Sequence, residues 1–461
     1  MSSVAKTSRF AALALGLAAF GLTGAPAYAV EPPPTYNVEL LHTLAGGATA
    51  VAVDGSYAYV ARGAAGLDVV NRSNPSVPVV VATILPGDGA AVYIRDCAVH
   101  AGMLYVANWG DVENGATGLF TGVYVYDVTT PSAPVEVSRI DWGTERFYHQ
   151  AAMVYDLALT QVAGTPYALF VSEITNAVEV FDVSNPAAPA YAATLQRPAA
   201  MLGVCEDVAV AGTTAYVAWL GGGISSYDLS DLPAIAANNA VATDWGDLLY
   251  PDLLMTHKGA IGTARGVAPT ADGLTLVVTD DYGVGKLRVF DMSNALVATP
   301  LGTYSSGTNA SPLGVTVVGT RAFAAWGADG MRVIDFSTPT APVQIARYDT
   351  ANAKRCALAG ASILLADGTQ GTLTLGLKDQ VVVTAATWSK KAKRLTVTAT
   401  STANGAVPPA TLTVTGRGTM TYSSTTGLYT FTQDGVTTKP SSVTVTSTWG
   451  GSASATVAQV R

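Results

Sequence analysis

Gly330–Pro342 reads GMRVIDFSTPTAP, and the same order of residue types returns along the chain. An alternating apolar strand ends in aspartate, a short polar link follows, and a proline pair closes the segment. Gly122–Pro134 (GVYVYDVTTPSAP) and Ala177–Pro189 (AVEVFDVSNPAAP) repeat it closely. Gly223–Pro233 (GISSYDLSDLP) and Lys286–Asn294 (KLRVFDMSN) repeat it in part. Ahead of each lies a strand ending in Tyr-Val-Ala or a similar triplet, and ahead of that a short alternating strand and a Gly turn. Ala50–Pro78 (AVAVDGSYAYVARGAAGLDVVNRSNPSVP) holds the whole unit. Alternation with period two is the mark of a strand. Val, Ile, Tyr, Phe and Thr dominate these runs, and they suit a pleated, half-buried surface.

Copies begin at Ala50, Asp96, Tyr155, Glu206, Arg265, Leu313 and Arg355. Their spacing of roughly 40–60 residues fits propeller blades and not a helical solenoid. The seventh copy stops after Thr372–Leu377 (TLTLGL), without an Asp–Pro tail. Asn37–Leu44 (NVELLHTL) resembles the fourth strands of other copies, such as Val80–Leu85 and Tyr191–Leu195. Pairing it with the seventh copy closes the ring and removes an open edge. The expected fold is all-β: a seven-bladed β-propeller over 37–378, closed by an N-terminal strand. Asp231–Ala240 alone offers a helical period.

The repeats resemble the LVIVD-repeat family of extracellular prokaryotic propellers, named for a Leu-x-Val-x-Asp strand. The matching residues are Leu287-Arg288-Val289-Phe290-Asp291 and Met331-Arg332-Val333-Ile334-Asp335, followed by Pro339 and Pro342. The resemblance covers about Asn37–Leu377 and implies a structural repeat. It carries over no catalytic residue.

Composition changes at Asp379. From there Lys390, Lys391, Lys393, Arg394, Arg417, Lys439 and Arg461 face only Asp379 and Asp434, in a chain of formal charge −8. Arg394–Thr400, Ala410–Thr415 and Ser442–Thr448 alternate Thr or Ser with Val or Leu. That spacing predicts a small antiparallel β-sandwich over 379–461. It looks like the Ig-like modules of bacterial surface proteins, without the Cys–Trp–Cys core.

The amino terminus reads as a secretory signal over 1–29, followed by a linker at 30–36. Lys6 and Arg9 precede the apolar run Phe10–Leu22, and Ala27-Tyr28-Ala29 forms a small-x-small cleavage site. No later run is long enough for a bilayer helix. The predicted location is therefore secreted, periplasmic or cell-surface. Cys97, Cys205 and Cys356 match no zinc or haem spacing and read as buried small hydrophobes. An acidic chain with 25 basic and 33 acidic side chains is a poor nucleic-acid binder.

Blade connectivity places the long insertions Asn108–Thr121, Asp141–Met153 and part of Asp231–Thr263 on one face. Loops of that length are more often functional or disordered than ornamental. With them go Trp109, Phe120, Trp142, Phe147, Tyr148, Trp245 and Tyr250, while the turns between second and third strands add Trp219 and Trp326. Exposed rings there would stack on a sugar or a protein; the alternative is that they plug the inner strands. At the strand-one starts, Asp96, Asp156 and Asp207 share a position, with Glu206 beside them. Arg265 and Arg355 read as one position earlier, matching Arg95. Acids would then line one arc of the axial mouth, with bases across it. Oxygen ligands suit calcium, although such acids more commonly accept hydrogen bonds from neighbouring amides and Arg side chains. Asp111–Gly115 is an incomplete calcium loop.

No HExxH, GxSxG, P-loop or CxxCH occurs. His42, His100, His149 and His257 are scattered. The expected function is therefore an exported, non-enzymatic binding or surface-display protein, recognising a protein or glycan ligand on the insertion-bearing face. The C-terminal module would attach it to the envelope or to a partner. The alternative is a hydrolase or lyase using an acidic mouth.

Overall fold

Alternation and Gly turns do what the sequence predicts: each repeat folds into a meander of four antiparallel strands. The computed structural model describes residues 36–86, 92–109, 122–140, 153–172, 175–199, 201–242, 247–259, 261–360, 362–401, 410–448 and 451–460. The signal segment, Phe120, Trp142, Phe147, Tyr148, His149, Trp245 and the Asp111–Gly115 loop lie outside these residues, as do most of the first two insertions.

Sheet 1 comprises Ala50–Asp54, Tyr57–Ala61, Leu67–Asn71 and Val79–Ile84. Sheet 2 comprises Ile94–His100, Met103–Asn108, Gly122–Asp127 and Val135–Ile140. Sheet 3 runs from Val154–Val162 to Ala190–Leu195, and sheet 4 from Cys205–Ala211 to Leu253–His257. Sheet 5 runs from Ala264–Pro269 to Thr299–Ser305, and sheet 6 from Val315–Val318 to Val343–Tyr348. Sheet 7 holds Ala353–Ala359, Ser362–Asp367 and Gly371–Asp379, and its fourth strand is Tyr36–Leu44. That amino-terminal strand pairs antiparallel with Gly371–Asp379, from Tyr36 opposite Asp379 to Leu44 opposite Thr372. It starts one residue earlier than expected, and its partner starts one earlier and ends two later than Thr372–Leu377.

First strands of successive sheets touch, and the first strand of sheet 7 touches that of sheet 1. The ring is therefore closed among the described residues. Between each pair of neighbouring sheets lies an apolar core. Tyr59, Leu67 and Tyr124 fill the one between sheets 1 and 2, and Phe323, Leu365 and Leu375 the one between 6 and 7. The seam between sheets 7 and 1 packs mainly small residues, Ala48, Ala58, Ala359 and Ala366 among them.

The repeated aspartate has a local role. Asp335 Oδ1 accepts the Ser337 amide at 2.8 Å, and Asp127, Asp182, Asp228 and Asp291 do the same two residues on. This Asx turn ends the third strand and starts the reversal into the fourth. At the opposite end, Gly66 and Gly330 adopt positive φ of 84° and 76°. A Cβ there would sit 2.3 Å from Ile84 O and 2.1 Å from Tyr348 O.

The helical period is realised as Leu232–Asn239, inserted between the third and fourth strands of sheet 4. Among the described residues no helix is long and apolar enough to cross a membrane. Residues 381–460 form two further sheets. One contains Val381–Ser389, Arg394–Ser401 and Leu428–Gln433; the other contains Leu412–Val414, Ser442–Ser447 and Ser452–Thr456. Trp388, Leu395, Leu412, Phe431 and Val445 share the core between them. One pairing differs from the antiparallel expectation: Ala458–Val460 runs parallel to Val381–Ser389.

Candidate functional site: the axial hub and its cavity

A bulge near the start of the first strand sets the geometry of the hub. It falls between Ile94 and Asp96, Val154 and Asp156, Cys205 and Asp207, Ala264 and Gly266, and Ala353 and Arg355. Two tiers result. Arg95, Tyr155, Glu206, Arg265 and Lys354 are the bulged residues. Asp96, Asp156, Asp207, Gly266 and Arg355 follow them. Arg355 therefore shares the position of the aspartates, and Lys354 takes the place expected for it. Cys97 and Cys356, each next in line, carry the register that would have revealed this.

The aspartate tier is buried, at 6%, 1% and 4% exposure for Asp96, Asp156 and Asp207. Each carboxylate accepts an amide from the next sheet. Leu157 N donates to Asp96 Oδ2 at 3.3 Å, Val208 N to Asp156 Oδ2 at 2.9 Å, and Val267 N to Asp207 Oδ2 at 2.7 Å. Arg355 reaches over from sheet 7, placing Nη2 2.7 Å from Asp156 Oδ1 and 3.2 Å from Asp207 Oδ1.

Two of the carboxyls around this guanidinium hold protons more tightly than usual. Burial drives Asp96 well above the ordinary carboxyl range, and the neighbouring Asp156 adds to the rise despite Arg355. Burial likewise lifts Asp156 to about 7, opposed by Arg355 and assisted by Asp207. A hydrogen-bonded chain runs from Asp96 through Asp156 to Asp207. Burial opposes the charge on Arg355, but Asp156, Asp96 and Asp207 outweigh it and hold the guanidinium protonated. These aspartates therefore tie sheets together and do not line an acidic mouth. Among the described residues no group of three or more His, Cys, Asp or Glu side chains could hold a metal ion.

Above this tier opens a cavity of about 490 Å³. Its walls come from crossings between sheets, turns between second and third strands, and the bulged residues, which together belong to the insertion-bearing face. Arg62, Arg95, Arg265, Lys354 and Arg355 line it, with Glu206 as the acid among its described lining residues. Glu206 accepts Arg265 Nη1 at 3.1 Å, and Arg265 Nε also meets Asp281 at 2.8 Å. Arg62 pairs with the buried Asp68 at 2.6 Å. Tyr93 and Tyr155 supply aromatic wall, and the Arg95 guanidinium lies 4.3 Å from the Tyr155 ring centroid. The mouth is thus basic and aromatic.

The three sequence-predicted tryptophans separate. Trp109 is half-buried beside the cavity, edge-on to Tyr93 at 5.9 Å and to Tyr155 at 6.2 Å. Trp219 and Trp326 are fully buried and do not face a ligand. Trp219 packs between sheets 3 and 4 with Nε1 donating to Ser225 Oγ at 2.7 Å, and Trp326 packs between sheets 5 and 6. Both expectations of ring exposure are corrected here: the chain turns back at once after each residue, so its ring lies on an inter-sheet face. Cys97, Cys205 and Cys356 are free and buried. The Cys97 and Cys356 thiols donate to Tyr59 O and Phe323 O on the preceding sheets.

Residues 45–85 and 313–350, which span sheets 1 and 6 with their flanking turns, match the model of the LVIVD repeat. The chain carries LVIVD repeats at these two places. Both matched stretches include a Gly-x-x-Gly turn, Gly63–Gly66 and Gly327–Gly330, and sheet 7, outside the matches, carries another at Gly368–Gly371. In both matches, the first Gly bridges to the opening strand of the next sheet, Gly63 to Ile94 and Gly327 to Ala353. No curated protein matches the chain.

Proposed function

We propose that this protein is an exported, non-enzymatic binding protein whose protein or glycan ligand docks in the axial cavity of the insertion-bearing face. One observation carries the reading: a cavity of about 490 Å³ opens at the hub of that face. Its volume falls within the range of roughly 300–1,000 Å³ typical of small-ligand sites. Tyr93 and Tyr155 offer ring surface, and Arg95, Arg265 and Lys354 offer donors.

The carboxylates do not favour the hydrolytic alternative, which calls for an acidic mouth. General acid–base work needs a titratable group within reach of a bound substrate. Asp96, Asp156 and Asp207 are spent on amides and Arg355, and Glu206 is paired with Arg265. In the C-terminal sheets, Lys390, Lys391 and Lys393 stand exposed on one turn. A cationic turn of this kind supports attachment to an anionic envelope or partner.

Ala64 is exposed on the cavity rim, so Ala64→Trp should cover the opening without touching a core. The test is thermal melting of wild type and this variant against a glycan panel and envelope fractions. Ligands that bind only the native state raise its melting point. A shift in wild type that Ala64→Trp abolishes is expected; a shift that survives in the variant removes the cavity from the function.

A further inference from the structure

Two cations on the cavity wall lack the counter-charges their neighbours have. Arg62 is matched by Asp68, Arg265 by Glu206 and Asp281, and Arg355 by Asp156 and Asp207. Arg95 lies over the Tyr155 ring and, among the described residues, makes no ion pair. Lys354 likewise makes none among them. The nearest acid to influence Lys354 is Asp367. Its carboxylate is already engaged by the amides of Asn352, Thr369 and Gln370 and by the Thr350 hydroxyl.

The bulge creates this surplus. By placing residue 354 in the outer tier with 95 and 265, it brings three cationic side chains to one wall. Burial lowers the proton affinity of Lys354, and repulsion from Arg95 and Arg265 lowers it further. Like charges held together in a partly enclosed space raise the local concentration of anions. The uncharged part of a ligand would meet Tyr93 and Tyr155.

We propose that the cavity binds a small organic anion, its carboxylate or phosphate group held between Arg95 and Lys354. This deepens the cavity reading above and rests on it. Charge-assisted hydrogen bonds to an acid group are among the stronger polar contacts. Binding should therefore weaken as salt rises.

Calorimetric titration of the full chain tests the idea with D-galacturonate, citrate and inorganic phosphate, with D-galactose as the uncharged counterpart of the first. At least one anion should bind with a Kd tighter than about 1 mM, and galactose should bind more weakly than galacturonate. Arg95→Gln and Lys354→Gln should each weaken binding at least about tenfold. Lys354→Arg should retain it, and Lys391→Gln on the C-terminal turn should leave it unchanged. The three anions separate an acidic sugar, a polycarboxylate and a phosphate as the source of the charge. If galactose binds, is blocked by Ala64→Trp and matches or exceeds every anion, the anion proposal fails while the cavity reading stands. If anions bind equally well after both Gln substitutions, they bind elsewhere and the proposal fails. If none of the four probes binds, the anion proposal fails, and the glycan-panel melt with Ala64→Trp decides the cavity reading separately.

Discussion

Arg355 Nη2 lies 2.7 Å from Asp156 Oδ1, so a guanidinium on the last sheet of the ring closes on a carboxylate of the third. With Asp207 it forms a charged crosspiece at the hub. Removing it would leave buried carboxylates without a cation. Arg355→Met should therefore cost about 3–5 kcal/mol at about pH 8. The cost should shrink at about pH 5, where the raised Asp96 and Asp156 hold their protons. Urea unfolding at the two pH values measures both.

The same cluster makes stability depend on pH. Asp156 moves from the ordinary 3.8 to about 7 in the folded protein. A raised carboxyl binds more protons folded than unfolded, so its stabilising effect is full below about pH 4 and is lost as pH rises through about 7. Asp96 acts in the same direction. A rise from 3.8 to about 7 corresponds to a loss on the order of 4 kcal/mol, which belongs to the coupled cluster and not to Asp156 alone. Asp156→Asn should flatten the fall between about pH 5 and pH 8, read from unfolding midpoints.

Trp219 is a core residue in this structure. Trp219→Ala should destabilise by about 3–5 kcal/mol, and Trp219→Phe by less, losing mainly the bond to Ser225. Neither should alter the affinity of the axial cavity for any ligand found. A change in affinity without a change in melting would return Trp219 to the binding face.

Gly330 combines positive φ with a Cβ path blocked by Tyr348 O. Gly330→Ala should cost at least about 2 kcal/mol. At Gly55, also at positive φ but with open space around it, alanine should cost less. Denaturant melts of the two variants give the comparison.

Deleting residues 36–44 strips sheet 7 of its outer strand and leaves Gly371–Asp379 as an open edge. Unpaired edges recruit other chains. The truncated protein should melt lower and self-associate, which light scattering during a thermal ramp would detect. A monomer melting like the parent would mean that the strand is dispensable.

Repeat periodicity made the four-strand units, the amino-terminal closing strand and the short helix at 232–239 legible in advance. Each depends on local alternation, turn residues and a missing tail, all of which are visible in a linear string. The site was harder to read. Asp96, Asp156 and Asp207 were found as equivalent, and acceptance of amides from the next sheet was among the uses considered. Arg355 was misplaced by one residue because a bulge shifts register without altering residue type. That slip hid Lys354, which stands on the cavity wall, while the aspartates expected on one arc of the mouth lie buried beneath it. Trp219 and Trp326 were placed on the correct turns but with the wrong exposure.

Periodicity along the chain therefore carried the secondary structure and the order of the repeats, since alternation and turn chemistry act between near neighbours. Which charges meet at the axis was decided by ring closure, which brings residue 355 against residues 156 and 207 from far along the chain. A one-residue bulge then selects which side chain points to the buried tier and which to the cavity. Low dielectric below and solvent above give those two positions opposite electrostatic roles.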